Sequence, residues 1–508
     1  MSQLSMPEYP YSYWYQDVKL PSFKELDQSI KTEVAIIGAG MTGITTAYLL
    51  SQKGLKVTVI DAGSVISSTS GHTTAKITIQ HGLIYNQLIK NFNLETAKKY
   101  FQANKNALEY IKKTIKKHEI MCDFSLEDAY LYTNSQEYLE KVKKEAKAYE
   151  QIGIEHSVIK ELPIPLSIKE GIMIKDQAQF HPVKYLRALI DECIKNDVEF
   201  YDNTTAIDVE YTDYPIVLTK NNHRINCDYL ISASHYPFYD GQAFFPTRMY
   251  ADRSYITAYR YDQEFSGGMY ISAESPNRSI RRTVNDSGEQ FLLIGGESHK
   301  VGQGEETIFH YEALQEFAKE TFNVNHCLYR WSAQDLVTLD DIPYIGPITE
   351  GKENILVATG YRKWGMTTST VAAQIMADIV TKSENDYKNI FSPARKISNQ
   401  AIKNFVKYNA DVAKHLIKGK MEYVKSHKDL PKDSAALIRI NGKRSGVYRD
   451  PNDKLHAVDT TCTHLGCEVN WNDGERTWDC PCHGSRFSYT GEVIEGPAKK
   501  PLKSIVIK

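Results

Sequence analysis

The sequence lacks two features that would point to nucleic acid or to a membrane. Its 61 Lys and Arg residues are balanced by 63 Asp and Glu, for a net charge of -2, so there is no basic excess for binding phosphate backbones. No apolar run reaches the roughly 20 residues that a membrane-crossing helix requires. The opening segment, MSQLSMPEYPYSYWYQDVKL, lacks the basic start and apolar stretch of a secretory signal. We therefore expect a cytoplasmic protein with no transmembrane segment and no nucleic-acid partner.

Cysteine is scarce, with 8 residues in 508, and half of them lie in one short segment. Cys122, Cys193, Cys227 and Cys327 are scattered and are expected to be reduced thiols in the core. The other four lie in CTHLGCEVNWNDGERTWDCPCHGSRF, together with two histidines. In a cytoplasmic chain such tight spacing favours metal binding over a disulfide scaffold.

A chain of 508 residues is long enough for several domains, and its composition changes along its length. Residues 1–30, rich in Tyr and Pro, predict an arm that packs on the main body. A large α/β unit is predicted for 31–385, and the short strands and turns of 431–508 predict a small all-β domain. Between them, the Lys-rich amphipathic stretch in 386–430 predicts a helical linker. Its apolar face could contact a membrane surface, but we favour docking on the protein itself.

A nucleotide site is predicted at VAIIGAGMTG, where an apolar strand turns tightly into a helix. In this G-x-G-x-x-G motif the first glycine permits the turn, the second lets the backbone approach a diphosphate, and the third lets helix pack on strand. The phosphates then meet the positive N-terminus of the helix, and an acid ending the next strand can bond ribose hydroxyls. A purely structural glycine turn is the alternative, but strand, helix, second strand and acid all fall in order. The predicted contacts are Gly38, Gly40, Met41, Thr42, Gly43 and Asp61.

VAIIGAGMTGITTAYLLSQKGLKVTVIDAG resembles the first motif of the D-amino-acid-oxidase-like flavoproteins, which include sarcosine, glycine and amine oxidases and dehydrogenases. ILVATGYRKWGMTTSTVAAQIMADI is similar to the strand, turn and helix that close over the flavin in that family. The resemblance, over residues 30–380, implies FAD, a Rossmann-like α/β FAD-binding domain and an antiparallel-sheet substrate domain. It also implies flavin contacts at Gly360, Gly365, Met366 and Thr367, and an adenine contact at Ala206.

Two positions depart from that family's pattern. His72 falls close to a histidine that some relatives bond covalently to the flavin, and a simple hydrogen bond to the cofactor is the alternative. Asp335 falls where amino-acid-oxidising relatives often have an Arg that clamps the substrate carboxylate. An acid facing the pocket favours a cationic amine, although Arg281 or Arg282 could still bind an anion, and Asp335 could instead point away. No general base is assigned, and the candidate catalytic residues are His72, Lys76, Asp335 and Lys363.

The C-terminal Cys and His residues have the spacing of a Rieske centre. Cys462-x-His464 is followed, after 15 residues, by Cys480-x-x-His483. In such a centre two thiolates hold one iron of a [2Fe-2S] cluster and two imidazoles hold the other. Zinc is the alternative that these residue types allow. CTHLGC and CPCHGS, each with an additional Cys, nevertheless closely resemble Rieske loops.

Three further features follow from this second resemblance. In Rieske proteins of the respiratory and photosynthetic type, residues at the positions of Cys467 and Cys482 form a disulfide that ties the two loops together. Ser485 matches a serine that hydrogen-bonds a cluster sulfur. Phe487 stands where those relatives often have Tyr, and losing that hydroxyl is expected to lower the reduction potential.

Together the two resemblances imply an FAD-dependent dehydrogenase that oxidises a small amine or amino-acid-like substrate. Electrons would pass from FAD to a Rieske [2Fe-2S] cluster and then to an external acceptor, a protein or a quinone. The whole chain resembles bacterial FAD-dependent oxidoreductases with a C-terminal Rieske domain, whose substrates are poorly defined. Two other interpretations stay open: a Rieske-type oxygenase component, and a non-catalytic electron-transfer or redox-sensing protein. The oxygenase would need mononuclear iron held by two His and one carboxylate, and no closely spaced set suggests it.

Overall fold

The computed structural model describes residues 5–304, 306–418, 430–440 and 442–507. Two large sheets and their helices form the body of the chain, which we call the large domain. Two small antiparallel sheets form the C-terminal domain. A Rossmann-like α/β domain, an antiparallel-sheet domain and a small all-β domain were predicted, and all three are present.

The described strands are β1 (Ile30–Ile37), β2 (Val57–Ile60), β3 (Lys76–Ile77), β4 (Ser125–Thr133), β5 (Ser157–Ile159), β6 (Glu170–Gln179), β7 (Glu199–Tyr201), β8 (Ala206–Tyr211), β9 (Pro215–Thr219), β10 (Arg224–Ser232), β11 (Met249–Arg260), β12 (Met269–Ser272), β13 (Arg278–Val284), β14 (Gln290–Lys300), β15 (Cys327–Thr338), β16 (Tyr344–Pro347), β17 (Ile355–Thr359), β18 (Ser434–Ile440), β19 (Lys443–Arg449), β20 (Leu455–Asp459), β21 (Asn470–Asn472), β22 (Thr477–Asp479), β23 (Arg486–Ser488) and β24 (Val493–Glu495). The described α-helices are α1 (Met41–Ser51), α2 (Tyr85–Asn91), α3 (Leu94–Lys117), α4 (Gln136–Ile152), α5 (Pro182–Lys195), α6 (Phe245–Arg248), α7 (Ile308–Phe322), α8 (Gly365–Val380), α9 (Lys388–Phe391) and α10 (Asn399–Lys418).

The first large sheet has a parallel core. Its main strand order is β16-β17-β10-β1-β2-β7, and the β8-β9 hairpin joins it through β10. Helices α1, α5 and α8 pack together on this sheet. The end of β1 and all of β2 are buried without a break, because the side chains of β1 alternate between two core clusters, one on each face of the sheet. The predicted strand-helix-strand unit is β1-α1-β2, so the glycine turn lies at the carboxyl edge of β1, where α/β sheets bind nucleotides.

The second large sheet is mainly antiparallel, with the order β15-β11-β14-β13-β12-β4-β6-β3. The period-2 pattern of residues 250–300 places alternate side chains on opposite faces. Tyr255 and Tyr259 pack under α7, in a cluster with Tyr311 and Leu314. The side chains between them on β11 lie on the opposite face of the sheet, and this face forms part of the functional site.

The C-terminal domain packs around Trp478, which is fully buried beside Val469 and Phe487. Gly446 on β19 makes room for it, because a Cβ there would lie 2.6 Å from Trp478 Cη2. The two cysteine-histidine segments are the loops that follow β20 and β22. We call them the first cluster loop, residues 462–467, and the second cluster loop, residues 480–485.

Helix α10 connects the two domains physically as well as in sequence. Its Tyr408 is buried and donates a hydrogen bond to the carbonyl of Cys482 at 2.8 Å, while its Asp411 accepts one from Lys300 at 3.0 Å. The helix therefore docks on the protein, as favoured from its amphipathic pattern. The predicted linker 386–430 extends over residues 419–429, which lie outside the described residues, and the domain boundaries stay predictions. Within the described ranges, no helix is both long and apolar enough to cross a membrane.

The N-terminal arm packs on the large domain as predicted, and it holds one loop in particular. We call residues 66–74, between β2 and β3, the cavity loop. Ser12 Oγ donates to Gly71 O at 2.6 Å, Trp14 Nε1 to Thr73 O at 2.7 Å, and the Tyr15 hydroxyl to the start of the loop. Trp14 is fully buried in the core of the large domain, so it anchors the cavity loop to that core.

We expect Trp14→Ala to destabilise the cavity loop and the domain beneath it. Removing a buried Trp costs about 3–5 kcal/mol of unfolding free energy. Trp14→Phe, which keeps most of the buried ring area but loses the bond to Thr73 and leaves a small cavity, should cost about 1–3 kcal/mol. Urea unfolding of the full chain measures both. Tyr11→Ala, on the same arm but 51% exposed, is the control. Equal unfolding curves for the Trp14→Ala variant and this control would contradict the anchoring role.

Candidate functional site: one cavity lined by two domains

A cavity of about 1100 Å³ is lined by both large sheets, by the cavity loop and by the C-terminal domain. The glycine turn lies at one part of its wall. Gly38 has φ +108°, and a Cβ there would lie 2.5 Å from Ala233 O. A Cβ at Gly43 would lie 1.9 Å from Gly38 O, so only glycine lets α1 start this close to β1. Both facts match what a diphosphate-binding turn requires of its first and third glycines.

Asp61 ends β2 beside that turn. Its carboxylate accepts hydrogen bonds from Ala39 N at 2.7 Å and Gly63 N at 2.9 Å, which fixes the side chain in the cavity wall. Burial raises the pKa of Asp61 above its usual range. Each carboxylate oxygen keeps a second lone pair, so the group can still accept ribose hydroxyls, as its position predicted.

The N-terminus of α1 faces the same cavity. Met41 N donates to Ser70 Oγ at 2.9 Å, and Thr42 Oγ1 lies 2.8 Å from the Tyr361 hydroxyl. Ser70 belongs to the cavity loop and was not predicted from sequence, because no local motif marks it. The helix terminus, its dipole and these hydroxyls together are suited to an anion such as a diphosphate.

Most of the predicted FAD contacts are brought to this cavity. Gly43 and Thr367 are absent from its described lining: Gly43 packs helix on strand, and the Thr367 hydroxyl lies 3.2 Å from His81 Nε2 behind the wall. The predicted residues that line the cavity are Gly38, Gly40, Met41, Thr42, Asp61, His72, Ala206, Gly360, Gly365 and Met366. Their glycine turn, helix terminus and acid fit a dinucleotide.

His72 lies in the cavity loop, with its ring edge-on to Tyr15. Its Nδ1 is 2.9 Å from the carbonyl oxygen of Ser68. Burial lowers the pKa of His72, which favours the neutral ring with Nδ1 donating and Nε2 left as the free nitrogen. A covalent bond between this ring and the flavin stays a prediction, which flavin release into the supernatant on acid precipitation would contradict.

Lys76 is a buried amine in the cavity wall. Its Nζ donates to Tyr270 O at 2.8 Å and to Ser279 Oγ at 2.5 Å. Burial, with added repulsion from Arg281, lowers the pKa of Lys76 to about 7. A neutral amine with two donated hydrogen bonds keeps one lone pair, so Lys76 is able to take up a proton.

Two carboxylates and one ammonium meet on the sheet face of the cavity. Asp335 on β15 lies directly across the ladder from Asp252 on β11. Lys363 donates through its backbone N to Asp335 at 3.1 Å, and its ammonium pairs with Asp252 at 2.6 Å. Burial raises the pKa of Asp335, while His235 and Lys363 lower it. Asp335 and Lys363 were predicted, but Asp252 was missed because only the β11-β15 pairing reveals it.

The arginines considered as anion clamps have other contacts. Arg281 is buried and donates to the carbonyl oxygens of Thr74 and Ala75, and Arg282 donates to Gln290. Neither is among the described residues of the cavity wall. Arg362 does line the wall, but Asp341 neutralises it at 3.2 Å. The cavity therefore presents no unpaired guanidinium from these three positions.

A further wall of the cavity comes from the C-terminal domain, which the sequence did not predict. Residues 492–499 line it, and Lys499 Nζ donates to Ile207 O beside the predicted adenine contact at Ala206. Glu495 also lines it. Burial alone would raise the pKa of Glu495, but Arg253 and Arg486 hold it below its usual range.

The two cluster loops are built alike. Cys462 N donates to Cys467 O at 2.7 Å, and Cys480 N donates to Ser485 O at 2.8 Å. Each loop then turns through a glycine with φ +79°, Gly466 in the first and Gly484 in the second. This repeated turn brings the first Cys of each loop to the same end of the domain. A disulfide joins Cys467 to Cys482 across the loops, with 6.5 Å between their Cα atoms.

The four predicted iron ligands are brought together. The Cys462 and Cys480 thiols lie next to each other, and the rings of His464 and His483 have centroids 5.0 Å apart. Nδ1 of both histidines is buried without a hydrogen-bond partner. Two adjacent thiols and two unpartnered imidazole nitrogens are the donor set of a Rieske [2Fe-2S] cluster, so these residues fit that group. The sulfurs of Cys467, Cys480 and Cys482 also lie within 4.8 Å of one another, but the disulfide removes two of them as ligands.

We expect Cys480→Ser to lose the iron-sulfur cluster while the chain keeps FAD, because the ligand loop and the glycine turn are separate structures. Cluster absorbance, iron per chain and released flavin measure this. The matched control is Cys327→Ser, a buried cysteine whose thiol donates to Tyr329 O in the large domain. If Cys480→Ser kept two iron atoms per chain, the ligand assignment would be wrong.

Comparisons with known proteins agree with this geometry. Residues 33–379 match the family model described as FAD dependent oxidoreductase, and residues 420–506 match the Rieske [2Fe-2S] domain. The chain is 48% identical, over 98% of both chains, to a protein of Bacillus subtilis strain 168 described as a putative Rieske 2Fe-2S iron-sulfur protein, YhfW.

Solved structures share the fold of the large domain. Glycine oxidase from Geobacillus kaustophilus superposes with a TM-score of 0.61 at 15% identity, covering 72% of this chain and 99% of that one. L-Proline dehydrogenase from P. horikoshii gives 0.60 at 17%, covering 72% and 97%. The predicted cofactors, FAD and a [2Fe-2S] cluster, are confirmed by the family matches. The chain belongs to the FAD-dependent oxidoreductase family and carries a C-terminal Rieske domain.

Proposed function

We propose that this protein is a dehydrogenase that oxidises a small amine or amino-acid-like substrate at FAD and delivers the electrons, through its Rieske centre, to an external acceptor. One observation carries the proposal: the cavity that fits FAD has a wall supplied by the domain that carries the cluster ligands. When bound, the flavin supplies acceptance of a hydride, and the cluster supplies one-electron transfer. A cytoplasmic location is part of the proposal.

The charges of the cavity support an amine substrate. Asp252 and Asp335 stand against a single ammonium, that of Lys363, so this face has one carboxyl group in excess. Burial raises the pKa of Asp335, and a further cation beside it would stabilise its charged form. A protonated amine is attracted there, whereas the carboxylate of an amino acid would meet like charge. The large domain shares its fold with glycine oxidase and L-proline dehydrogenase, which are named for amino acids. Amino acids are therefore tested as substrates alongside amines.

We assign the proton-accepting role to Lys76. Oxidation of an amine to an imine removes a hydride from carbon and a proton from nitrogen, so the cavity needs one group that can hold that proton. Lys76 faces the cavity with a pKa of about 7, near the value at which a base is most effective. Protons then leave to solvent while the electrons leave singly.

The two cluster loops differ in exposure, which supports an external acceptor. Thr463 and Leu465 of the first loop are exposed, Leu465 by 59%. Pro481, His483 and Ser485 of the second loop are all buried. The first loop is therefore the side from which a protein or quinone could collect electrons.

A Rieske oxygenase is less well supported. It would need a second iron held by two histidines and one carboxylate. Among the His, Cys, Asp and Glu side chains in the ranges that the structure describes, the only group of three that could hold a metal ion is Cys467, Cys480 and Cys482. That grouping lies in the cluster itself and contains no carboxylate, so it does not serve an oxygenase.

The proposal is tested by anaerobic mixing of the FAD- and cluster-loaded chain with a panel of amines and amino acids. We expect amines to bleach the flavin absorbance first and the cluster spectrum to change afterwards, because the substrate binds in the cavity that fits FAD and the cluster receives electrons only from the flavin. Bleaching by amino acids but by no amine would overturn the amine assignment. With the same panel, Asp335→Asn should lower the amine kcat/KM by about tenfold to a hundredfold, since a charged hydrogen bond contributes about 1.5–3 kcal/mol.

The role of Lys76 is tested by the pH dependence of flavin reduction by the best amine. Lys76 acts as a base only when its side-chain amine is neutral. The rate should therefore rise as pH increases through about 7, the pKa of Lys76, and then reach a plateau. Lys76→Met should be slower and lose this rise. Lys76→Arg should not rescue it, because arginine stays protonated. If the rate in Lys76→Met rose with pH at the same midpoint, the rise would reflect titration of the substrate and not of Lys76.

A further inference from the structure

The second cluster loop lies directly on the large domain. A Cβ at Gly484 would lie 2.3 Å from Ala251 Cβ on β11, and a Cβ at Gly302 would lie 2.8 Å from Pro481 N. Both glycines have positive φ, +79° and +67°. Backbone therefore packs against β-sheet here without room for a side chain, at the loop that contains Cys480 and His483.

Gln334 on β15 bridges this contact to the cavity. It is 1% exposed, and its Nε2 donates to the carbonyl of Gly484 at 3.0 Å. Gly484 follows the cluster ligand His483 in sequence. The carbonyl of Gln334 itself accepts from Thr69 Oγ1 of the cavity loop at 3.5 Å, and Gln334 lines the cavity together with its neighbour Asp335.

Arg253 sets the orientation of this amide. Its Nη2 donates to Gln334 Oε1 at 3.0 Å, and a guanidinium can only donate. The oxygen must therefore face Arg253, which turns the Nε2 donor towards Gly484. Arg253 is itself 1% exposed and is held by Ser332 at 2.8 Å and Glu495 at 3.3 Å, so the arrangement is rigid.

We propose that Gln334 is the positioning residue that couples the FAD cavity to the Rieske cluster, through its hydrogen bond to Gly484. This rests on the proposed function. Each transfer removes one electron from the reduced flavin and adds one to the cluster, and an external one-electron acceptor takes it on. Two transfers return the flavin to its oxidised form and release the one proton that the hydride brought, while the second proton of the oxidation leaves through Lys76.

The physical reason is that electron transfer slows steeply as the gap between two sites widens, and that a hydrogen bond couples two groups better than a non-bonded contact does. Gln334 makes such a bond to the residue beside a cluster ligand, and it also lines the cavity. Removing the bond should weaken coupling without altering either cofactor's ligands.

The experiment uses the full chain loaded with FAD and cluster, reduced anaerobically by a laser flash with deazariboflavin and EDTA, so no substrate is needed. The quantity followed is the concentration-independent decay of reduced flavin as the cluster becomes reduced. We expect a severalfold slower decay in Gln334→Leu. Gln334→Glu should also be slower, because it keeps the partner for Arg253 but loses the donor to Gly484, and it carries the test if the leucine variant loses a cofactor.

Gln303→Leu is the matched control. Gln303 also donates to a carbonyl of the second cluster loop, that of Pro481 at 3.3 Å, but it is absent from the described cavity wall. We expect its decay to match the unaltered chain. Equal slowing in the Gln303 and Gln334 variants would show that general loosening of the interface is responsible, and would overturn the assignment.

Reduction potentials of both cofactors provide the readout that separates coupling from tuning. We expect them, and the cluster's electron paramagnetic resonance spectrum, to be unchanged in Gln334→Leu. Gln334→Glu adds a negative charge that lowers the potentials, so its rate is compared with the rate expected for its measured driving force. A potential shift large enough to account for the slower rate would overturn the coupling role, as would an unchanged rate. If the unaltered chain itself shows no flavin-to-cluster phase, the proposed relay fails, and that outcome is distinct from a failure of Gln334 alone.

Discussion

The buried guanidinium of Arg253 is the charge on which the relation between the two domains depends. It is 1% exposed, and its partners come from both sides: Ser332 and Gln334 from the large domain, and Glu495 from the C-terminal domain. A buried cation without a carboxylate is costly by several kcal/mol. Undocking the C-terminal domain would remove that carboxylate, so the ion pair between Arg253 and Glu495 exists only when the two domains are joined. Arg253 also turns Gln334 towards Gly484, which makes the same group responsible for stability and for the proposed electron route.

The parts of the site that the sequence predicted are those whose residues are neighbours along the chain. The glycine turn, Asp61 after the next strand and the Cys-x-His and Cys-x-x-His ligand pairs are all short-range patterns with a physical reason for their spacing. The wall formed by residues 492–499 has no such pattern, because Lys499 meets Ile207 only after both domains have folded. Asp252 was equally invisible, since its contact with Lys363 depends on the register between two strands. Local periodicity indicated single strands and helices, and the fold class followed from the resemblance to known flavoproteins, whereas the shared cavity is a consequence of docking.

The N-terminal arm and the C-terminal domain contact each other beside the cavity. Arg330 donates to Glu8 O of the N-terminal arm and to Gly474 O of the C-terminal domain, each at 2.7 Å. Arg476 reaches the same Glu8 carbonyl from the other side. The cavity loop is thus held by an arm that the C-terminal domain also contacts. Contacts of such large sequence separation carry a large entropic cost of loop closure, which slows the folding of chains that depend on them.

The wall shared at residues 492–499 has a consequence for how this protein can evolve. The Rieske domain here is a structural part of the cavity that fits FAD, so it is not an interchangeable electron carrier attached by a linker. A foreign Rieske domain with correct ligands would still leave the Ile207 edge without Lys499 and Arg253 without Glu495. Exchange of modules by recombination would therefore have to carry both surfaces at once, and substitutions on one surface are constrained by the other.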